Sequence, residues 1–468
     1  MDTPHVLAQN ELDAQKSPLQ NIIHSEEIIV HDIDTGTGGW SQIFYEQMEQ
    51  SGDGSSTYNS NVKAHNLWGV TVRQVITGCE LKEQYRGDHL ISYLPHLLHY
   101  IIKECHLTFR KEDVEPPIST ATLELFLQTR LSVEERNAWL SQMGEVTTDN
   151  QLALSEWVTK IGKRAVSLQL PFSYFDGYDT AIKLHLLLQA KTGEKQIQEP
   201  IQHSFALERS LSKLIRMKKR IHPEVKTDGT KSETNETTEE WQMCTPEEVM
   251  SKCTFDIDTS TPGGTLILPP EIWAHYSLAS QIEMTNLRMT PLTRPYRALV
   301  PIRIENNFTD SQLEVSVKIK GKFVIQAIYW MASNQSSKML NFSTFSENPR
   351  WGDDPVESSS FGRGNGYAWK DIPSDHHTCI SFRVRKMPLP TDPGIHMAAF
   401  APRLCTTPDG SIDVASEGAT LLFNLKPNLP DKYKAIVYVD CILLHEYRGG
   451  ALGSHYEPVF EPVHDTDG

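Results

Sequence analysis

The feature that most limits what this chain can fold into is a strict two-residue alternation. In "SQLEVSVKIKG", Leu313, Val315, Val317 and Ile319 alternate with Glu314, Ser316, Lys318 and Lys320. Successive side chains of an extended backbone point to opposite faces, so this stretch has one apolar and one polar side, a half-buried strand. "RAVSLQLP" repeats the pattern with Val166, Leu168 and Leu170 against Ser167 and Gln169. "CISFRVRKM" does so with Ile380, Phe382 and Val384 opposite Ser381, Arg383 and Arg385. "NLWGVTVRQVITG", with Leu67, Val70, Val72 and Ile76, and "ATLLFNLKP" read as two more strands. "YKAIVYVDCILLHEY" is apolar on both faces around Asp440, which suits a strand in the middle of a packed sandwich.

Helical signals are fewer. Ser132 and Glu135 have capping-box spacing, and Val133, Trp139, Leu140 and Met143 can share a buried side, so a short helix is expected in "RLSVEERNAWLSQM". "FALERSLSKLIRMKKRI" places Leu207, Leu211, Leu214 and Ile215 at helical spacing with a basic end. "HLISYLPHLLHYIIKEC" is either a buried helix interrupted at Pro95 or a core strand; periodicity does not separate the two. Residues 1–60 are polar, with Gly36, Gly38 and Gly39 in "DTGTGGW". They are expected to form a flexible arm, with a short helix around "SQIFYEQMEQ". Residues 222–241 hold almost nothing to bury, and 332–372 is much longer than an ordinary connection; both are expected to be exposed excursions. No internal repeat is visible. The expected architecture is all-β, one domain over 61–468, with outsized loops and a few short helices.

Composition narrows the function classes. The formal charge is −16, so contact with nucleic acid has to be local rather than steered by the net field. The 7 cysteines are widely spaced without a CxxC pair, which disfavours a zinc ribbon or a disulfide framework and suggests a reducing compartment. The beginning of the chain lacks a basic and apolar leader, and no apolar run approaches the roughly 20 residues of a membrane span. The chain is expected to be soluble and intracellular.

The candidate chemical sites are modest. Asp375, His376, His377 and Cys379 suggest metal or catalytic chemistry, but neighbouring histidines on an extended chain diverge, and no His-x-His pair occurs as a cupin-type site needs. A turn delivering the chain into the strand at Ile380 is the preferred reading. No G-x-S-x-G elbow is present, and "TGTGG" lacks the Lys of a phosphate loop. The acidic "FDIDTS" at 255–260 reads as a solvated face. Arg216, Lys218, Lys219 and Arg220 form either a nuclear-import or phosphate patch, or the solvated basic end of a helix. No cofactor or metal is expected.

Two short stretches carry a family resemblance. "IPSDHHTCISFRVRKMPLPTDPG", through its loop of Asp375, His376, His377 and Thr378, is similar to the segment near the last strands of small densovirus capsid proteins. "LPFSYFDGY", through Pro171, Tyr174, Phe175 and Asp176, resembles the Pro-x-x-Tyr-Phe-Asp segment of parvovirus capsid proteins more widely. The likeness is to the branch that includes shrimp densoviruses and vertebrate chapparvoviruses. It implies an eight-stranded antiparallel jelly roll, about 60 copies closing an icosahedral shell around single-stranded DNA, and attachment to a host receptor. It also implies a virion protein assembled in the host nucleus. The phospholipase of many relatives would be absent, because His31-Asp32 is followed by Thr35 and no glycine loop precedes them. Two alternatives stand beside this reading: a metal-dependent, cupin-like jelly-roll enzyme using His376 or His377, and a non-enzymatic intracellular β-sandwich adaptor.

Overall fold

The structure is a computed structural model. It describes residues 28–31, 40–51, 57–60, 66–109, 112–148, 150–173, 202–221, 241–256, 267–278, 292–302, 314–321, 324–334, 345, 354–364, 366–404, 410–415, 418–427, 433–448 and 451–454.

After a short edge strand at Ile28–His31, the first half of the chain continues with strands β1 (Trp40–Gln47), β2 (Thr57–Asn59) and β3 (Asn66–Ile76). An excursion of β4 (Gly78–Leu81), β5 (His89–Tyr93) and α1 (Leu97–Ile101) leads to β6 (Ile102–Phe109) and β7 (Ile118–Ser119). A second, with α2 (Thr120–Thr129), α3 (Val133–Gln142) and β8 (Lys160–Ile161), leads to β9 (Arg164–Gln169) and β10 (Gln202–Leu207). A third holds α4 (Leu211–Leu214), β11 (Ile215–Arg220), β12 (Trp241–Met243), α5 (Pro246–Lys252) and β13 (Cys253–Asp256), and ends in β14 (Glu271–Leu278). The second half is plainer: β15 (Leu292–Ile302), β16 (Glu314–Ile319), β17 (Val324–Asn334), β18 (Val356–Arg363) and β19 (Gly366–Pro373). Next come α6 (Ser381–Val384), β20 (His396–Ala399), β21 (Ala419–Leu425) and β22 (Tyr433–Arg448).

Leaving aside the excursions and the short edge strands Ile28–His31, Glu49–Gln50, Glu112–Asp113, Ile412–Asp413 and Ala451–Ser454, the described residues of each half contribute eight strands in one order. In the first half the sheets run β1-β14-β3-β9 and β2-β10-β6-β7; in the second, β15-β22-β17-β20 and β16-β21-β18-β19. Counted within each half, both read first-eighth-third-sixth and second-seventh-fourth-fifth. Two interlocked Greek keys of this kind make a jelly roll. The antiparallel, jelly-roll expectation is therefore met. The described strands, however, form two such modules where the sequence suggested one domain over 61–468.

Each module has its own apolar core, one drawn from residues 48–276 and the other from 296–443. A third cluster forms the seam, where Leu125 of α2 meets Leu299, Tyr329, Met331, Phe382 and Tyr438. Strand β17 shows how the seam is built. Ile328, Trp330 and Ala332 face the second core, while Ala327, Tyr329 and Met331 face the seam. The same holds for β22, which is why its sequence is apolar on both sides: Val437, Val439 and Cys441 point one way, Ile436 and Tyr438 the other.

Several local readings are corrected. The arm expected over 1–60 contains β1 and β2, and "SQIFYEQMEQ" is strand rather than helix, because β1 is held between Ile28–His31 and β14. The glycines at 36, 38 and 39 lie outside the described residues, as do 222–240. Residues 89–105 are both alternatives in turn, β5, then α1, then β6. The helix expected over 205–221 is a strand, one helical turn and a second strand, since Phe205 and Met217 each complete a strand face of the first core. Part of the 332–372 excursion is the β18–β19 hairpin. The strand expected at 380–385 is a helical turn: only Phe382 is buried, against Tyr329, while Ile380 and Val384, four residues apart, share an exposed side. The capping-box helix is present as α3, with Ser132 Oγ accepting from Glu135 N and Glu135 Oε2 accepting from Ser132 N.

Candidate functional site

Every pairing between the eight core strands is antiparallel, so odd strands run one way and even strands the other. Connections from an odd to an even strand therefore all leave from one end of a module. The three excursions of the first module are such connections, and they fold together. One three-stranded sheet, β8-β4-β13, takes a strand from each excursion, and another is β12-β11-β5. The result is a cap on one end of the first jelly roll.

The basic run lies on this cap. Strand β11 pairs with β5 on one side and β12 on the other, so Arg216, Lys218 and Arg220 point to one face and Lys219 to the opposite one. On the first face two indoles interleave with the cations. Trp157 lies 4.8 Å from both Arg216 Cζ and Lys218 Nζ, and Trp241 lies 4.4 Å from Lys218 Nζ and 5.5 Å from Arg220 Cζ. Each ring quadrupole stabilises the cations on either side, so the row Arg216-Trp157-Lys218-Trp241-Arg220 is held as a ladder. Arg216 is buried, its guanidinium Nη2 donating to Ser92 Oγ at 2.9 Å, and burial pulls its pKa down to about 10. Lys219 faces Glu248 at 3.8 Å. Neither sequence reading foresaw the indoles; the signal was the period-two spacing of Arg216, Lys218 and Arg220 around buried Met217.

The other predicted site residues are dispersed. Asp375 precedes a π-helical turn, His376–Ile380, which contains His376, His377 and Thr378. His377 is buried and its ring meets Trp330 edge-on at 4.8 Å. Burial, chiefly, holds its pKa down to about 4, so it is a neutral core histidine. His376 is exposed and Thr378 half-buried, and neither histidine belongs to a potential metal-holding group among the described residues. The expected corner before a strand is thus a corner of helical turn. Alongside it, Trp369, His376, Ile380, Val384 and Phe400 line an open cavity of about 390 Å³. Pro171 lines a smaller cavity of about 220 Å³ at the seam; Tyr174, Phe175 and Asp176 lie outside the described residues.

One group among the described residues has the composition of a metal site: His96, His99 and Glu124. Its hydrogen bonds argue against that use. Trp139 Nε1–H donates to His99 Nε2 at 3.1 Å, which places the His99 proton on Nδ1, and Nδ1 donates to Glu124 Oε1 at 2.7 Å. A cation on Nδ1 would force a proton onto Nε2, facing a second donor. His96 Nδ1 lies 2.9 Å from both Glu124 oxygens. Burial opposes charge on His96, but Glu124 outweighs it and raises the pKa; burial likewise opposes charge on Glu124, and the two histidines hold it below the usual carboxylate range. The cluster is a buried ion pair that joins α1 to α2.

Ion pairing also crosses the seam. Asp440, fully buried in β22, accepts from Arg297 Nε at 2.8 Å and from Arg297 Nη2, and Arg130 Nη2 lies 3.0 Å away. Arg130 caps α2 of the first module, whereas Arg297 belongs to β15 of the second.

No family model matches this sequence, and no curated protein matches it. Solved structures do. A crystal structure of PBCV-1 VP54, fitted into a cryo-EM reconstruction of the virophage Sputnik, is similar over 89% of this chain and 97% of its own, with a TM-score of 0.58 at 11% identity. The Faustovirus major capsid protein is similar over 91% of this chain and 94% of its own, with a TM-score of 0.58 at 8% identity. The fold is that of viral major capsid proteins. The capsid fold accounts for both modules at once, because each match spans nearly the whole of the other chain. No helix among the described residues is long and apolar enough to cross a membrane.

Proposed function

We propose that this chain is a structural capsid subunit that assembles with copies of itself into an icosahedral shell and resides in the virion. The observation that carries the proposal is the doubled strand order: two jelly rolls in one chain, similar in fold to capsid subunits along almost their full length. The parvovirus resemblance implies one jelly roll per chain, so two modules weigh against that branch and against a shell of about 60 single-module copies. The metal-enzyme alternative loses its basis where His377 is a neutral core residue and His99 carries its proton on the nitrogen that a metal would need.

The basic ladder is the part of the surface best suited to an anionic polymer, and we assign it to single-stranded nucleic acid. An import signal is read as an exposed extended peptide, whereas β11 is paired on both sides and buries Arg216, which disfavours nuclear import. The indole faces are already occupied by cations, so contact would run through phosphates and be sequence-independent. A host receptor is expected of any shell protein, and no residue is assigned to it.

Negative-stain microscopy and sedimentation of the purified chain test the main reading. Closed particles, or uniform ring-shaped oligomers, are expected; a monodisperse monomer at high concentration would overturn it. For the ladder, Lys218→Glu with Arg220→Glu should weaken binding to an oligonucleotide and flatten its salt dependence, by about 0.7 in log–log slope per lost phosphate contact. An unchanged slope would remove the ladder from that role.

A further inference from the structure

Two cysteines in the cap face each other. Cys79 on β4 and Cys253 on β13 are both buried, at 2% and 4% exposure. In the β4–β13 pairing Cys79 lies opposite Phe255 and Cys253 opposite Leu81, so the thiols occupy diagonal positions on one face of the sheet. The two thiols are near enough to shift each other's protonation. Gly78, beside Cys79, lets the three strands approach: a Cβ there would meet Asp256 Cβ at 3.3 Å and Ile161 O at 3.4 Å. Contact with Cys79 lowers the pKa of Cys253, and the same contact holds Cys79 up, so the first proton leaves from Cys253.

We propose that Cys79 and Cys253 are a redox-active dithiol that hydrogen peroxide converts to a disulfide across the cap. The Cys253 thiolate attacks one peroxide oxygen, the O–O bond breaks, and the departing hydroxide takes a proton to become water. The resulting sulfenic acid is attacked by the Cys79 sulfur; the S–O bond breaks, a second water leaves, and the S–S bond forms. Two thiols lose two electrons and one peroxide becomes two waters. A peroxide molecule is small enough to reach buried sulfur through the local opening that sheet edges undergo. The bond would add a covalent link between the first excursion and the third, which otherwise meet through strand pairing, packing and side-chain hydrogen bonds such as Arg216–Ser92. Diagonal partners lie about 7–8 Å apart, at or beyond the usual disulfide span, so closing the bond draws the two strands together and leaves it strained and readily reduced. That separates a reversible lock from a permanent framework disulfide. It also allows synthesis of the free dithiol in a reducing compartment and closure afterwards.

The test uses the full-length chain. Native protein is treated with hydrogen peroxide, quenched with an alkylating agent, digested without reductant and mapped by mass spectrometry. The expected product is a peptide pair joined through Cys79 and Cys253, two hydrogens lighter than its parts. It should disappear with dithiothreitol and be absent when peroxide is added in urea followed by immediate alkylation. Recovery of both residues as alkylated thiols would overturn the proposal. So would separate sulfinic acids, or pairing with another cysteine such as exposed Cys379. Cys253→Ser should leave Cys79 alkylatable; because the wild-type map decides alone, a variant that does not fold leaves the result standing.

Discussion

Removing the carboxylate of Asp440 should uncouple the two modules. Asp440 is inaccessible to solvent, and the two guanidinium groups that converge on it, Arg130 and Arg297, are 12% and 14% exposed. In Asp440→Ala both cations stay close together and lose the counter-charge of Asp440. Breaking a buried pair by deleting one partner costs about 3–5 kcal/mol, because an uncompensated charge remains in a poorly solvated site. Arg297 keeps one acceptor, the Leu404 carbonyl at 2.9 Å, so the lower half of that range is expected. Asp440→Asn keeps the shape and one acceptor without the charge, and should cost about 1.5–3 kcal/mol. Arg130→Met should cost less than either, since it leaves one cation against one anion. The assay is urea unfolding followed by tryptophan fluorescence, with 9 tryptophans as reporters. Because Arg130 belongs to one module and Asp440 to the other, the alanine variant should also broaden or split the transition. A single transition shifted by less than about 1 kcal/mol would refute the reasoning, since an exposed ion pair is worth that much.

Three further outcomes follow from the same packing. His203 is buried with its pKa pushed down to about 3 by burial, and neither ring nitrogen has a hydrogen-bond partner among the described residues. The unfolded chain binds a proton below about 6.5 that the folded chain refuses, so stability falls as pH drops below that value. His203→Leu should be at least as stable at neutral pH and should move the acid unfolding midpoint downward. His96 has the opposite sign: its raised pKa contributes stability that is complete below about 6.5 and lost as pH rises through the folded value. In Glu124→Gln that alkaline decline should vanish, as read from unfolding midpoints between neutral and alkaline pH. Gly394→Ala places a Cβ 1.9 Å from the Phe345 carbonyl oxygen, a backbone clash that should cost about 1–3 kcal/mol in thermal unfolding.

Some of this fold was legible in the residues. Where one strand face meets a core and the other meets solvent, the alternation survives, as in β16, whose burial alternates without exception, and in β9. The α3 helix was legible because a capping box is a local object. Residues 380–385 misled because an i, i+2 pattern contains i, i+4 pairs, and a helical turn can bury Phe382 alone. Residues 205–221 misled because leucines at helical spacing were split between two strands by one turn at Leu211–Leu214. The basic run was visible, but its meaning came from Trp157 and Trp241, distant in sequence and brought in by register.

The doubling of the fold was the feature least accessible to sequence, and the reason is physical. What repeats is the order in which strands pair, and pairing order is set by which connections are long and which edges are covered, not by any particular residue. The first module carries three excursions that bury Leu81, Ile91, Leu123 and Met217 against its own core. The second keeps shorter connections and spends its extra apolar surface on the seam, through Tyr329, Met331 and Tyr438. Two modules solving different burial problems need different side chains at equivalent strands, so a likeness between them is erased from the sequence while the connectivity that both require is retained. The same logic explains why solved capsid folds at 8% and 11% identity still align over nearly the whole chain.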